Sequence, residues 1–77
     1  MRETTLNVLA KTDPELTMHD FRVVEGERRI NLIFDVVAPF GYSEEKKEDL
    51  KTRIQIGLKA RDKRYCPVIT MEHKMTL

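Results

Sequence analysis

The chain has 77 residues, with 14 Lys+Arg, 13 Asp+Glu and a single cysteine. That length holds one small domain, and one cysteine excludes both an internal disulfide and a four-thiolate zinc site. A net charge of only +1 removes any broad electrostatic case for nucleic acid, and no apolar run approaches the ~20 residues that span a bilayer.

Residues 2–12 read as a helix in which Leu6, Leu9 and Ala10 share one face, with Thr4 or Thr5 placed to cap its start. Asp13-Pro14 closes it, because the residue before a proline is pushed out of helical geometry. Residues 18–24 read as a strand, with Phe21 and Val23 on one side and Arg22 and Val24 on the other. The segment Glu25-Gly26-Glu27-Arg28 is a turn in which Gly26 is free to take positive φ. Residues 29–38 form the strongest strand, alternating Ile30, Leu32, Phe34 and Val36 with Asn31, Ile33, Asp35 and Val37.

Pro39-Phe40-Gly41-Tyr42 breaks the chain, and Ser43 then caps a long helix running to about Ala60. Lys47, Leu50, Lys51, Ile54, Gly57 and Leu58 lie along one stripe of that helix. Lys59, Arg61, Lys63 and Arg64 crowd its C-terminal end, where the helix dipole favours cations. Residues 65–72 form a last strand, alternating Cys66, Val68 and Thr70 with Pro67, Ile69 and Met71. Pro67 cannot donate to a ladder, so the start of this strand is expected at a sheet edge.

The order helix–strand–strand–helix–strand implies an α+β two-layer sandwich. A hairpin makes the first two strands antiparallel, and a crossover helix makes the second and third parallel. The result is a mixed three-stranded sheet with both helices on one face, similar to a ferredoxin-like, metallochaperone-like fold short of its first strand. Leu50, Ile54 and Leu58 are expected to pack on Leu32, Phe34 and Val68 or Ile69, with Leu6 and Leu9 completing the core. The other sheet face is richer in apolar residues than a solvated face should be, which implies an exposed patch or a partner.

The stretch Asp13-Pro14-Glu15-Leu16-Thr17-Met18-His19-Asp20-Phe21-Arg22-Val23-Val24 resembles the start of the C-terminal cytoplasmic domain of cation diffusion facilitator transporters. The later strand Ile30–Val37, the helix Ser43–Ala60 and the closing Val68-Ile69-Thr70-Met71-Glu72-His73 resemble that domain's remaining elements in the same order. The resemblance implies a V-shaped homodimer hung below a six-helix membrane domain that is absent from residues 1–77, with Met1 marking the start of a domain fragment. It also implies metal ligands at the His-Asp start of strand one, in the middle of strand two and at the end of strand three. His19 matches the first place, Ile33 stands at the second and cannot bind metal, and Met71, Glu72 and His73 occupy the third.

The candidate metal ligands are therefore His19 and His73, with Asp20 and Glu72 as possible oxygen donors. Two or three such ligands imply at most weak Zn²⁺ or other divalent-cation binding, and no cofactor is required. The candidate dimer surface comprises Ile33, Asp35, Val37 and Met71. Cys66 as a soft ligand, and Met18, Met71 and Met75 as a thioether site, are weighed against simple packing roles, which such residues more commonly fill. The basic run Lys59-Ala60-Arg61-Asp62-Lys63-Arg64-Tyr65 is a solvated helix end or a contact for phospholipid headgroups.

The functional expectation is a regulatory and dimerisation domain on the cytoplasmic side of a divalent-cation efflux transporter, homodimeric and not an enzyme. The alternative is a free-standing small metal- or ligand-binding domain, although the close Cys-x-x-Cys pair of a soluble metal carrier is absent. An acylphosphatase-like enzyme is a third reading. Arg22 and Asn31 would be its anion-binding residues, but no loop that cradles phosphate accompanies them.

Overall fold

Strict alternation along one strand organises the molecule. In the computed structural model, which describes residues 1–73 and only the backbone of His73, the elements are α1 (Arg2–Thr12), β1 (Thr17–Glu25), β2 (Ile30–Ala38), α2 (Glu44–Arg61) and β3 (Tyr65–His73). Sheet order is β1-β2-β3, with β1 antiparallel and β3 parallel to the central β2. Ile30, Leu32, Phe34, Val36 and Ala38 all point into the helix layer and are buried, while the residues between them are half-buried on the other face. Met75 lies outside the described residues.

The core joins that row to Leu50, Ile54 and Leu58 of α2, Val8 and Leu9 of α1, and Tyr65 and Ile69 of β3. Fully burying each large side chain contributes roughly 1.5–3 kcal/mol. Ile69, not Val68, supplies the β3 contact, since Val68 is half exposed on the opposite face. Lys47 lies on the buried stripe of α2 as well. Its stem packs on the core while Nζ reaches Glu44 Oε1 at 2.7 Å. Ser43 caps α2 as expected, its Oγ accepting from Lys46 N–H at 3.1 Å.

The first helix departs from the sequence expectation in two ways. Its buried residues are Thr5, Val8 and Leu9, so the inner face is rotated away from Leu6 and Ala10, both of which are exposed. Thr5 can be buried because its Oγ1 donates to its own helix at Met1 C=O, 2.8 Å away, leaving no polar group unsatisfied. Neither Thr4 nor Thr5 caps the helix; Met1 holds the cap position without a side-chain bond. At Gly57 a Cβ would stand 2.8 Å from Val8 Cγ1, so glycine lets α1 and α2 approach closely.

Both helices end in the same device. The N–H groups of Asp13 and Asp62 donate to Leu9 and Leu58 C=O, and their Oδ1 atoms accept from the Glu15 and Arg64 N–H groups, each at 2.9 Å. Their carbonyls then accept from Leu16 and Tyr65 N–H, which turns the chain onto the sheet.

The hairpin turn lies where the sequence places it. Gly26 closes it by donating to Arg29 C=O at 2.7 Å without positive φ; that conformation occurs at Gly41 (φ 99°) and Asp20 (φ 53°). Asp20 marks a β-bulge between His19 and Arg22. The extra residue resets the alternation, so Met18, Phe21 and Val23 all pack on the core. The Phe21 and Phe34 ring centroids lie 6.0 Å apart.

Candidate functional site

The helix-free face of the sheet is built in cross-strand rows. His19 lies opposite Asp35, which pairs in turn with Thr70 of β3. Thr17, Val37 and Glu72 form the row on one side of it, and Arg22, Ile33 and Val68 the row on the other. Val24, Asn31 and Cys66 form the last row. Ile33 and Val37 are half-buried by their neighbours, while Val24 and Val68 are 54% and 50% exposed. An apolar band thus crosses the face, interrupted by the His19–Asp35 pair and bordered by Arg22.

Three of the four sequence-predicted surface residues, Ile33, Asp35 and Val37, share this face. Met71 does not. It pairs with Val36 and packs against the core on the helix side, as its alternation with Val68 and Thr70 requires. Cys66 is half-buried on the open face, and its Sγ lies 3.7 Å from Arg64 C=O as a weak donor. Arg22 and Asn31, the pair considered for an anion site, occupy different rows of that face.

His19 is exposed and lines an open depression of about 360 Å³ with Glu15, Thr17, Val37, Ala38 and Pro39. Glu15 is a neighbour the sequence reading did not select. The Asp13–Glu15 turn carries it to the mouth of the depression. Asp20 is committed to the bulge, and Glu72 is exposed in the adjacent row, two residues along β3 from Thr70. The backbone of His73 pairs with Ala38, and its side chain lies outside the described part of the chain. Among the described residues, no three His, Cys, Asp or Glu side chains come together as a metal set.

Behind the depression, the loop entering α2 is fastened to the end of α1. Tyr42 Oη donates to Asp13 Oδ2 at 2.7 Å, and Lys46 Nζ sits 4.0 Å over the Tyr42 ring. The Glu15 N–H and then the Tyr42 hydroxyl hold the Asp13 carboxyl below its ordinary value. Donation to Asp13 in turn raises the Tyr42 phenol. At the other end, the Arg64 side chain and N–H lower Asp62 to about 2.

No family model matches the chain, and no curated protein matches its sequence. Its backbone does match solved structures. A structure of CzrB, a candidate zinc transporter, aligns at TM-score 0.84 and 18% identity, covering 96% of this chain and 93% of that one. The metal-bound C-terminal domain of the CzcD transporter from Thermotoga maritima aligns at TM-score 0.73 and 12% identity, covering 94% and 84%. The cytosolic domain of a cation diffusion facilitator family protein aligns at TM-score 0.72 and 12% identity, covering 94% and 86%. Two of these neighbours are named as transporters and the third as a cation diffusion facilitator family protein. The chain has the fold of cation diffusion facilitator cytosolic domains, the family that its His19-Asp20-Phe21-Arg22-Val23 segment and closing strand resemble.

Proposed function

We propose that the chain is the cytoplasmic C-terminal domain of a divalent-cation efflux transporter, and that it pairs two protomers across the helix-free sheet face. The agreement of its backbone, over nearly its whole length, with three domains of such transporters carries the reading. No helix among the described residues is long and apolar enough to cross a membrane, so on this reading the transport pathway lies in a separate part of the polypeptide. The reading frame upstream of Met1 is the direct test. Six apolar segments in frame support it, and a stop codon immediately upstream overturns it.

The pairing surface is the band of Ile33, Val37, Val24 and Val68, with Asp35 and His19 inside it. A standard interface buries ~800 Å² per partner. Linkage through membrane domains would raise the effective concentration, so a modest intrinsic affinity suffices. Sedimentation equilibrium at tens of micromolar is expected to show a dimer that Ile33→Asp weakens while the circular dichroism spectrum is kept. A strictly monomeric parent refutes the pairing.

A further inference from the structure

The chain is nearly neutral, yet its charges are separated along its length. Nine-residue strands run about 30 Å, so they lie along the 43 Å axis and not across the 21 × 19 Å section. One end of that axis gathers the β1–β2 turn and the α2–β3 turn, because Ile30 N–H donates to Arg64 C=O at 2.9 Å and Ile30 pairs with Tyr65. The start of α1 lies toward the same end, since the helices run antiparallel. Tyr42, just before α2, bonds Asp13, just after α1, and Val8 meets Gly57 farther along.

The hairpin turn contributes Arg28 and Arg29 to this end, and α2 contributes Lys59 and Arg61. Lys63 and Arg64 follow in the next turn, and all six cations are exposed. Arg64 and Asp62 engage each other at 2.7 Å, which leaves Arg28, Arg29, Lys59, Arg61 and Lys63 against Glu3, Glu25 and Glu27. Cations remain in excess even so. The opposite end has the reverse balance, with Asp13, Glu15, Glu44, Glu45 and Glu48 facing Lys11, Lys46 and Lys47.

We propose that the basic end is a contact surface for an anionic lipid bilayer. A blunt end with its cations spread over two turns and a helix terminus suits a plane of headgroups, where attraction acts within a Debye length of ~10 Å. It does not suit nucleic acid. Among the described residues no exposed aromatic ring stands there for base stacking: Tyr65 is buried, and Phe40 lies in the β2–α2 loop at the other end. The choice of lipid over other polyanions rests on the transporter reading, in which the end where α1 begins is the end that faces the membrane.

The test mixes the 77-residue chain with vesicles of phosphatidylcholine alone, or with phosphatidylserine as about a third of the lipid. At low salt the expected preference for the anionic vesicles is about tenfold or more, shrinking at physiological salt. Arg28→Glu combined with Lys63→Glu should abolish the preference, and Lys11→Glu at the opposite end should leave it intact. Arg28→Gln with Lys63→Gln is the milder pair, expected to reduce it. Circular dichroism confirms that each variant is folded. No preference in the parent, a preference indifferent to the double reversal, or retention on a DNA duplex but not on vesicles would overturn the proposal. A stop codon upstream of Met1 would overturn the transporter reading while leaving the vesicle result standing. Absent partitioning with six apolar segments present upstream would overturn the lipid surface alone.

Discussion

Gly57→Ala sets two effects of opposite sign against each other. Alanine is favoured over glycine within a helix by about 1 kcal/mol, so on propensity alone the variant is more stable. The new Cβ, however, would lie 2.8 Å from Val8 Cγ1. Val8 is only 3% exposed, and a β-branched side chain in a helix has one strongly preferred rotamer, so the methyl cannot swing aside. Relief requires α1 to move off α2, and overpacking of this kind costs about 1–3 kcal/mol. The net expectation is destabilisation of about 1 kcal/mol, or about 4–8 °C in Tm for a domain of this size. Thermal melts of the parent, Gly57→Ala, Val8→Ala and the double variant form the assay. Val8→Ala alone should lose about 1.6 kcal/mol for two buried carbons, and in the double variant the new methyl should recover part of that loss. A Gly57→Ala melt equal to or above the parent's, or strict additivity in the cycle, refutes the reasoning.

Ile54 is fully buried between the layers, so Ile54→Ala should cost about 2–5 kcal/mol. That rivals the whole stability a core this small supplies, so the variant should be largely unfolded; a cooperative melt close to the parent's would place Ile54 outside the core. Asp13 and Asp62 are both held below the ordinary carboxylate value of 3.8, so their stabilisation is complete above it and is lost as pH falls through the folded values, about 2 for Asp62. Urea midpoints should therefore drop below about pH 4, with Asp62→Asn showing a shallower acid loss than the parent. Tyr42 has the opposite sign: its bond to Asp13 is present below the ordinary phenol value of 10 and is lost as pH rises through the raised one, a change that Tyr42→Phe should remove. Calorimetric titration with Zn²⁺ near neutral pH should show affinity weaker than micromolar that His19→Ala abolishes; submicromolar affinity, or binding indifferent to His19→Ala, contradicts the assignment.

The elements were legible where one strong period ran uninterrupted. Ile30, Leu32, Phe34 and Val36 hold every second position, and Leu50, Ile54 and Leu58 keep helical spacing behind the Ser43 cap, so β2, α2 and the layer between them follow from sequence. Reading α1 by apolarity chose Leu6, because a buried threonine carries no apolar signal; the Thr5 hydroxyl bond that makes burial possible exists only once the helix has formed. The alternation of β3 already put Met71 beside Ile69, and it is that parity which removes Met71 from the open face. The opposition of His19 and Asp35, and the arrival of Glu15 beside His19, were not legible. The first depends on a register that passes through a bulge, and the second on an aspartate turn followed by proline.

The bulge at Asp20 gives β1 two phases. From Arg22 onward the strand is in step with β2 one way, and from His19 backward it is offset by one residue. With side chains alternating every residue, that offset is equivalent to half a turn about the strand axis. Straight pairing with Asp20 retained would set Asp20 opposite Asp35, turning Met18 to the open face and His19 toward Val36 and the helix layer, whereas removing one residue at position 20 would merge the phases and leave His19 opposite Asp35. The bulge, by absorbing one residue, therefore decides which side of the sheet presents the imidazole, and an alignment to a strand without the extra residue must place its gap here to keep the outer surface of this arm from being matched with the interior.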